Sequence, residues 1–325
     1  MGGCLSRRYK LDPSKDLLDL TGKIIIVTGG NTGIGYETVK CLARRGAKVY
    51  LGARNESKAT GALARLEQEG LGPGNGQVIW FKVDFSDPRL AKEAAEAFLK
   101  RESRLDILIN NAAQLTGPFQ KTKDGISQLM VVNHFSPFVF TRTLLPVLIK
   151  TSKEPKSDVR IVSLSSITHS SMARATSADL KFETIDDFNH EFAEDIYPEM
   201  SRYSVTKLAT ILWMRELQKR FDASNTPIVC MPIHPGEINT FAARTPYPFL
   251  AGIFMAIFFA APEVGAYGPS FAAASPKIRD NPEKYKGAYQ IPVGVLAEPS
   301  ENAQRDDLAR ALWKITESIL KGLDV

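Results

Sequence analysis

A turn rich in glycine carries the clearest chemical signal in this sequence. Gly29, Gly30, Gly33 and Gly35 follow a run of β-branched residues at 24–27. Such a turn lets the backbone approach a phosphate group, which the N–H groups and positive dipole end of the next helix then hold. A glycine turn can also be a plain loop, and the G-x-x-x-G-x-G spacing differs from the common G-x-G-x-x-G fingerprint. Its place between a strand and a helix nevertheless predicts a nucleotide pyrophosphate site.

The end of the second apolar run, at residues 48–54, bears on the choice of nucleotide. An acidic side chain at this point would bind the adenosine ribose hydroxyls of NAD, but the chain has Ala53 followed by Arg54. A guanidinium there can meet the 2′-phosphate of NADP. An arginine in a turn is usually just solvated, yet this position favours NADP(H) over NAD(H).

Further polar residues have spacings that could serve a reaction. Tyr203 and Lys207 are four apart and therefore share one helix face, although this spacing is also common in surface pairs. Ser165 and Ser166 follow an apolar run that predicts a strand. Asn133 lies in a stretch suited to burial and needs hydrogen-bonding partners there, which backbone groups at a helix kink could supply.

Strands and helices alternate along the chain and must position these residues. Strands are predicted at residues 24–27, 48–54, 77–83, 105–109, 160–164, 228–233 and 288–291. Helices are predicted at residues 36–45, 56–69, 88–101, 126–150 (two helices, interrupted near Ser136 and Pro137), 208–221 and 308–320. The alternation predicts an α/β fold, a single Rossmann-like domain over residues 17–325 with a doubly wound parallel sheet and flanking helices. Ligands of such folds bind at the carboxyl ends of the strands, so we expect Ser166 and Tyr203 to meet there.

Composition narrows the class of protein. The chain has 325 residues, of which 44% are apolar and 24% charged, with a net charge of +5. These values are ordinary for a globular protein, and no basic run interleaved with aromatic residues indicates nucleic-acid binding. The three cysteines are scattered, which predicts free thiols in a reducing compartment and no metal site. No secretory signal is visible, so we expect a cytoplasmic protein.

The first residues suggest contact with a membrane surface. Gly2 and Ser6 fit the M-G-x-x-x-[ST] acylation pattern, Cys4 could take a second acyl chain, and Arg7 and Arg8 could attract anionic lipid. The alternative is that residues 1–16 are only a disordered tail before the domain. The first interpretation would place the protein on the cytosolic face of a membrane.

A second apolar segment lies at residues 249–261, within a proline-flanked stretch at 246–262. It is too short to span a membrane, which takes about 20 residues. It could be an ordinary core helix, a lid over a lipophilic substrate, or a helix in the membrane interface. The other flanking helices of the sheet are already accounted for, which favours the lid or the interface helix.

Taken together, these pieces resemble the short-chain dehydrogenase/reductase family. The matching residues, in the order of the family, are residues 28–35 (TGGNTGIG), Asp84, residues 110–113 (NNAA), Asn133, Ser166, Tyr203 with Lys207, and Pro235 and Gly236 with Thr240. The context of Asn133, residues 262–266 and the closing residues 311–313 resemble the retinol-dehydrogenase-like branch.

The resemblance implies roles for four residues. Tyr203 would be the general acid/base at the substrate oxygen, and because a free tyrosine has a pKa of about 10, Lys207 and the charge of the oxidised nicotinamide would lower it. Lys207 would also bond the nicotinamide ribose. Ser166 would hold the substrate oxygen, with its neighbour Ser165 as the alternate. Asn133 would fix a water molecule that links Lys207 to solvent.

The resemblance also implies a cofactor site. Asp84 would contact adenine, and Asn111 would line the adenosine side. The full set of expected cofactor contacts is Gly29, Asn31, Thr32, Gly33, Ile34, Gly35, Arg54, Asp84, Asn111, Ala112, Tyr203, Lys207, Pro235, Gly236 and Thr240.

The expected function is an NADP(H)-dependent oxidoreductase that interconverts a lipophilic alcohol and its ketone or aldehyde. Retinoid-, steroid- or terpenoid-like substrates would suit the apolar segment at 249–261. The rival interpretation is a sensor or scaffold that binds NADP(H) without catalysis, but a scaffold has no chemical need for Asn133, Ser166, Tyr203 and Lys207 together. Either a monomer or a homodimer is expected.

Overall fold

The computed structural model describes residues 11–115, 117–172, 175, 177–236 and 261–325. The acylation pattern at Gly2, Cys4 and Ser6, the candidate contact Thr240 and the apolar segment at 249–260 lie outside these described residues. Within the described part of the chain, no helix is long and apolar enough to cross a membrane.

The described residues form one eight-stranded sheet with the order β3-β2-β1-β4-β5-β6-β7-β8. Its strands are β1 (Ile24–Thr28), β2 (Lys48–Ala53), β3 (Gln77–Lys82), β4 (Ile107–Asn110), β5 (Val159–Leu164), β6 (Ile228–Ile233), β7 (Gln290–Ile291) and β8 (Val295–Leu296). All neighbouring pairs are parallel except β7 and β8, which run antiparallel. The strand order reverses between β1 and β4, which confirms the predicted doubly wound sheet and marks the usual position of a ligand crevice.

Helices cover both faces of the sheet. They are α1 (Pro13–Asp16), α2 (Gly33–Ala43), α3 (Glu56–Glu69), α4 (Pro88–Leu99), α5 (Gln128–Met130), α6 (Ser136–Ser152), α7 (Pro198–Ala223), α8 (Pro262–Ala274), α9 (Pro276–Asp280), α10 (Pro282–Tyr285), α11 (Glu301–Gln304) and α12 (Asp306–Gly322). Successive side chains of a strand point to opposite faces, so Ile26 packs into the core beneath α4, α6, α7 and α12. Ile25 and Val27 pack into the other core, beneath α2, α3 and α8.

The prediction of two helices interrupted near Ser136 and Pro137 is wrong, because the helical structure continues through these residues. Helical structure runs from α5 into α6 through a π turn at Val131–Phe135. In a regular α-helix the carbonyl of Asn133 would accept from the N–H of residue 137, and a proline has none. The π turn avoids this unpaired carbonyl by shifting the hydrogen bonds by one residue, and π turns inside α-helices are frequent at functional sites.

Two further boundaries differ from the prediction. Helix α7 begins at Pro198, since proline is well suited to a first helical turn, and Tyr203 and Lys207 therefore lie inside the helix rather than at its opening. Strand β8 was not predicted, because two residues are too few to show an alternating pattern. The excursion expected at residues 167–202 ends at residue 197, because α7 begins at Pro198, and its described residues include 3₁₀ turns at Ile167–Ser170 and Ile185–Phe188.

Candidate active site

The glycine turn packs directly against the start of α2. Gly29 and Gly33 have φ values of 67° and 55°, a region that residues with side chains rarely adopt. A Cβ atom on Gly35 would lie 2.2 Å from the carbonyl oxygen of Gly29. The N-cap residue Thr32 makes no side-chain capping bond. The N-terminus of α2 thus has no side-chain cap bond, and the binding of an anion by its N–H groups stays a prediction.

Asn111 holds this turn in place through its side chain. Its Nδ2 donates to the carbonyl oxygens of Thr28 (2.8 Å) and Gly29 (3.3 Å). The backbone N–H groups of Asn111 and Ala112 both donate to the Thr28 hydroxyl oxygen at 3.0 Å. The end of β4 is therefore clamped to the end of β1. Because Nδ2 is used on backbone carbonyls, only Oδ1 of Asn111 is left for a nucleotide, and the contact with adenosine stays a prediction.

A cleft of about 450 Å³ opens beside the turn at the carboxyl ends of the strands. Its walls include five of the expected cofactor residues: Gly29, Asn31, Arg54, Asp84 and Ala112. Lys58, which the sequence analysis missed, lines the same cleft. Asn55 caps α3 by accepting from the N–H of Lys58 at 2.9 Å, which fixes the start of the helix two residues after Arg54. The four-residue spacing of Arg54 and Lys58 is the feature of the sequence that could have indicated Lys58 as a second cation in the cleft.

These two cations are well placed for a phosphate. Arg54 and Lys58 are both exposed at the cleft wall, and neither has an ion-pair partner among the described residues. A phosphate held by two cations and by charge-assisted hydrogen bonds is bound more strongly than by either alone. The donor set therefore fits a nucleotide that carries an additional phosphate on its adenosine ribose.

Tyr203 and Lys207 are both buried on α7, with 8% and 4% of their surfaces exposed. Lys207 Nζ lies 5.4 Å from the centroid of the Tyr203 ring and donates to the carbonyl oxygen of Leu164 at 2.7 Å. Burial lowers the pKa of Lys207 to about 8 and raises the pKa of Tyr203 above its usual range. The resemblance implies a lowered tyrosine pKa when the oxidised nicotinamide is bound. In the protein chain alone, loss of hydration raises this pKa instead.

The two adjacent serines have different surroundings. Ser165 is buried, and its hydroxyl donates to the backbone oxygen of Lys207 at 2.8 Å. Ser166 caps the turn Ile167–Ser170, where its Oγ accepts from the N–H of Thr168 at 3.3 Å. An oxygen that accepts in this way keeps its own hydrogen to donate to a substrate oxygen. The geometry favours Ser166 over Ser165, the alternate.

Asn133 joins three elements through its side chain. Its Oδ1 accepts from the N–H of Gln114, and its Nδ2 donates to the carbonyl oxygen of Gln114, both at 2.8 Å. Nδ2 also donates to the Thr206 hydroxyl at 3.1 Å. Both amide hydrogens are therefore used within the chain, on the segment after β4 and on α7, and not on backbone groups of the helix irregularity itself. The side chain ties the segment after β4 to α7 next to Tyr203 and Lys207.

Pro235 and Gly236 complete the described part of the expected cofactor site. They follow β6, whose end is fixed by a bond from the N–H of His234 to the carbonyl oxygen of Gln290 at 2.7 Å. Gly236 has a φ of 101°, so a side chain would strain the backbone there. Among the described residues, no group of three or more His, Cys, Asp and Glu side chains could hold a metal ion.

Comparison with known proteins agrees with this geometry. The family model described as short chain dehydrogenase matches residues 23–178. A short-chain dehydrogenase/reductase of Armillaria gallica is 45% identical over 97% of this chain and 98% of its own. Mouse retinol dehydrogenase 11 is 34% identical over 95% of this chain and 89% of its own.

Solved structures share the fold. An uncharacterised protein of Mycobacterium paratuberculosis has a TM-score of 0.69 at 25% identity, over 96% of this chain and 98% of its own. A short chain dehydrogenase of Burkholderia cenocepacia in complex with NADP has a TM-score of 0.59 at 24% identity, over 85% of this chain and 98% of its own. The fold of this chain is thus one that experimental structures also show.

Proposed function

Since this chain belongs to the short-chain dehydrogenase/reductase family, we propose that it is an NADP(H)-dependent oxidoreductase. It would interconvert a lipophilic alcohol and its ketone or aldehyde. The observation that carries the proposal is the arrangement of Tyr203 and Lys207 on one buried helix face, pinned to the end of the strand that leads into Ser166. A protein that only binds a nucleotide has no need for a buried phenol and ammonium beside a hydroxyl donor.

The proposed choice of NADP(H) rests on Arg54 and Lys58. Both line the cleft that also contains Gly29 and Asp84, and the chain has Ala53 where an acid would favour NAD(H). The related structure from Burkholderia cenocepacia was solved with NADP, which supports a nicotinamide cofactor for this chain as well. When bound, the nicotinamide would supply or accept a hydride at the substrate carbon.

The residues of the chain would handle the proton and the oxygen. Tyr203 would give its proton to the carbonyl oxygen in reduction and take it back in oxidation. Ser166 would donate a hydrogen bond to the same oxygen and stabilise its developing charge. Lys207 would favour the tyrosinate by its charge, and Asn133 would hold the segment after β4 against α7.

A lipophilic substrate would suit exposed apolar side chains that lie near the site residues in sequence. Ile167, directly after Ser166, is 46% exposed, and Ile196, two residues before α7, is 88% exposed. Large apolar side chains at such positions offer contacts to an apolar ligand. The likeness to a retinol dehydrogenase supports a retinoid-, steroid- or terpenoid-like substrate.

We place the protein in the cytoplasm or on the cytosolic face of a membrane, since the unpaired Cys41 and Cys230 are typical of a reducing compartment.

The experiment measures NADPH and NADH consumption with a panel of hydrophobic ketones and aldehydes, together with the Kd of both cofactors. We expect NADPH to bind about tenfold tighter or more, a difference of about 1.4 kcal/mol. Arg54→Ala and Lys58→Ala should each reduce this preference and leave the NADH affinity nearly unchanged, whereas Lys314→Ala on the exposed face of α12 should change neither. A wild type that prefers NADH would refute the cofactor choice. Tight NADPH binding without turnover of any carbonyl would support the sensor or scaffold instead.

A further inference from the structure

His169 is buried close behind Ser166 and makes two specific hydrogen bonds. It lies in the 3₁₀ turn Ile167–Ser170 with 1% of its surface exposed. Its Nδ1 is 2.6 Å from the carbonyl oxygen of Ser166, and its Nε2 is 3.2 Å from the backbone nitrogen of Ser300. His169 follows Ser166 by three positions in the sequence, whereas Ser300 belongs to the distant segment just before α11.

The chain itself fixes which ring nitrogen carries the hydrogen. A backbone N–H can only donate, so Nε2 must accept from Ser300. Nδ1 must then carry the hydrogen and donate it to the Ser166 oxygen, which can only accept. Burial lowers the pKa of His169, and this keeps the ring neutral and the tautomer single at neutral pH. The nearby His234, also buried and with a pKa lowered to about 4, adds no charge there.

Packing holds the ring in this orientation. The ring of Tyr289 meets it edge to face, with 5.0 Å between the centroids. A side chain that is buried, stacked and bonded at both ends has very little freedom to turn. Any group that it bonds is held in the same way.

The group that it bonds is the peptide unit that follows Ser166. The Ser166 carbonyl receives two donors, Nδ1 of His169 and the backbone N–H of His169 at 3.3 Å. The Ser166 hydroxyl oxygen accepts from the N–H of Thr168 in the same turn. The direction in which the hydroxyl can donate therefore depends on the orientation of this turn, which His169 anchors to the Ser300 segment.

We propose that His169 is a positioning residue that holds the Ser166 carbonyl and thereby directs the Ser166 hydroxyl toward the substrate oxygen. This inference rests on the proposed function, in which Ser166 binds that oxygen. It assigns to the segment around Ser300 a part in orienting the site, although this segment contributes no expected catalytic side chain.

Two substitutions separate the two bonds of the imidazole. In His169→Asn the amide nitrogen reaches the position of Nδ1, so the donor to Ser166 is kept and the bond to Ser300 is lost. In His169→Gln the amide reaches the position of Nε2, so the acceptor for Ser300 is kept and the donor to Ser166 is lost. We expect kcat to fall about tenfold in His169→Gln and about threefold or less in His169→Asn, with NADPH Kd unchanged in both. His190→Gln, at an exposed histidine, is the control.

A double variant tests whether His169 acts through Ser166. In a Ser166→Ala background, His169→Gln should lower kcat no further, because the hydroxyl that His169 directs is already absent. An additive loss of kcat in the double variant would overturn the proposal. So would equal losses of kcat in His169→Asn and His169→Gln that parallel a fall in their melting temperatures. In either case His169 would be a packing residue only. If Ser166→Ala alone keeps the wild-type kcat, the assignment of Ser166 in the proposed function is wrong, a failure distinct from that of His169.

Discussion

At the scale of single residues, burial favours the neutral form of both Tyr203 and Lys207. It disfavours the charged form of each, raising the pKa of the phenol and lowering that of the ammonium to about 8. The protein chain alone therefore keeps Tyr203 protonated near neutral pH, which is the form that can give a proton to a carbonyl oxygen. The bond from Lys207 Nζ to the Leu164 carbonyl oxygen partly offsets the burial of the ammonium. A tyrosinate needs further positive charge, which an oxidised nicotinamide would add.

Tyr203→Phe tests the proton transfer with little change in shape. The hydroxyl is lost while the ring stays on α7, so folding and NADPH affinity should survive. Turnover should fall about a hundredfold or more, the usual contribution of a positioned acid/base group. Tyr197→Phe, at the exposed tyrosine just before the helix, is the matched control and should keep full turnover. Near wild-type turnover in Tyr203→Phe would mean that the proton comes from another group.

The sequence predicted where the site residues lie better than it predicted which groups they hydrogen-bond. Tyr203, Lys207 and Ser166 occupy the expected end of the sheet because they follow strands and helices with clear patterns. The roles of Asn111 and Asn133 could not be read in this way, since both depend on backbone carbonyls and N–H groups that only the folded chain brings near. Lys58 was missed because a lysine in the first turn of a helix is ordinarily solvated.

At the scale of elements, the contact between the glycine turn and α2 determines how closely the helix can approach. A Cβ on Gly35 would meet the Gly29 carbonyl oxygen at 2.2 Å and the Asn111 Nδ2 at 2.5 Å. The first is backbone and the second is the clamp between β1 and β4, so neither can yield without displacing the turn. The strand, the turn and the helix were all predicted from sequence. The π turn was not predicted from the sequence. The periodic pattern of apolar residues is nearly the same whether or not one turn of the helix contains an additional residue.

Gly35→Ala and Gly61→Ala form a matched pair for this contact. Gly35→Ala should weaken NADPH binding at least tenfold and lower the melting temperature, because the start of α2 must move away from the turn. Gly61 lies inside α3 with no atom within 4 Å of its Cβ position, so Gly61→Ala should leave binding unchanged. It should also raise the free energy of unfolding by about 0.5–1 kcal/mol, the usual gain from alanine in a helix. Thermal melts and NADPH titration give both values, and equal behaviour of the two variants would contradict the steric argument.

At the scale of the whole molecule, the closing helix α12 is joined to the site through a buried histidine. His134 lies in the π turn next to Asn133, and its Nε2 is 2.8 Å from the Thr316 hydroxyl of α12. The ring is fully buried and lies parallel to that of Phe188, with 6.2 Å between centroids. Burial lowers the pKa of His134 to about 3. One neutral imidazole thus contacts three elements: the excursion that ends before α7, the π turn that contains the histidine, and the C-terminal helix.

This arrangement should make the fold sensitive to acid. An unfolded histidine has a pKa of about 6.5, so between that value and about 3 the unfolded chain binds a proton that folded His134 does not. The free energy of unfolding therefore falls as the pH falls through this window. Between pH 7.5 and pH 5 the loss from His134 should be about 2 kcal/mol, and His234, with a pKa lowered to about 4, should add a loss of similar size.

Urea unfolding at a series of pH values measures the effect. His134→Gln keeps a partner for Thr316 but cannot take up a proton, so its stability should decline less steeply with acid than that of the wild type. The difference should correspond to one proton, about 1.4 kcal/mol per pH unit near pH 5. This slope is independent of any constant loss of stability that the substitution causes at neutral pH. His190→Gln, at an exposed position, should follow the wild-type curve. If His134→Gln and the wild type instead decline in parallel, the acid sensitivity must come from other groups, and His134 would join the elements through its packing alone.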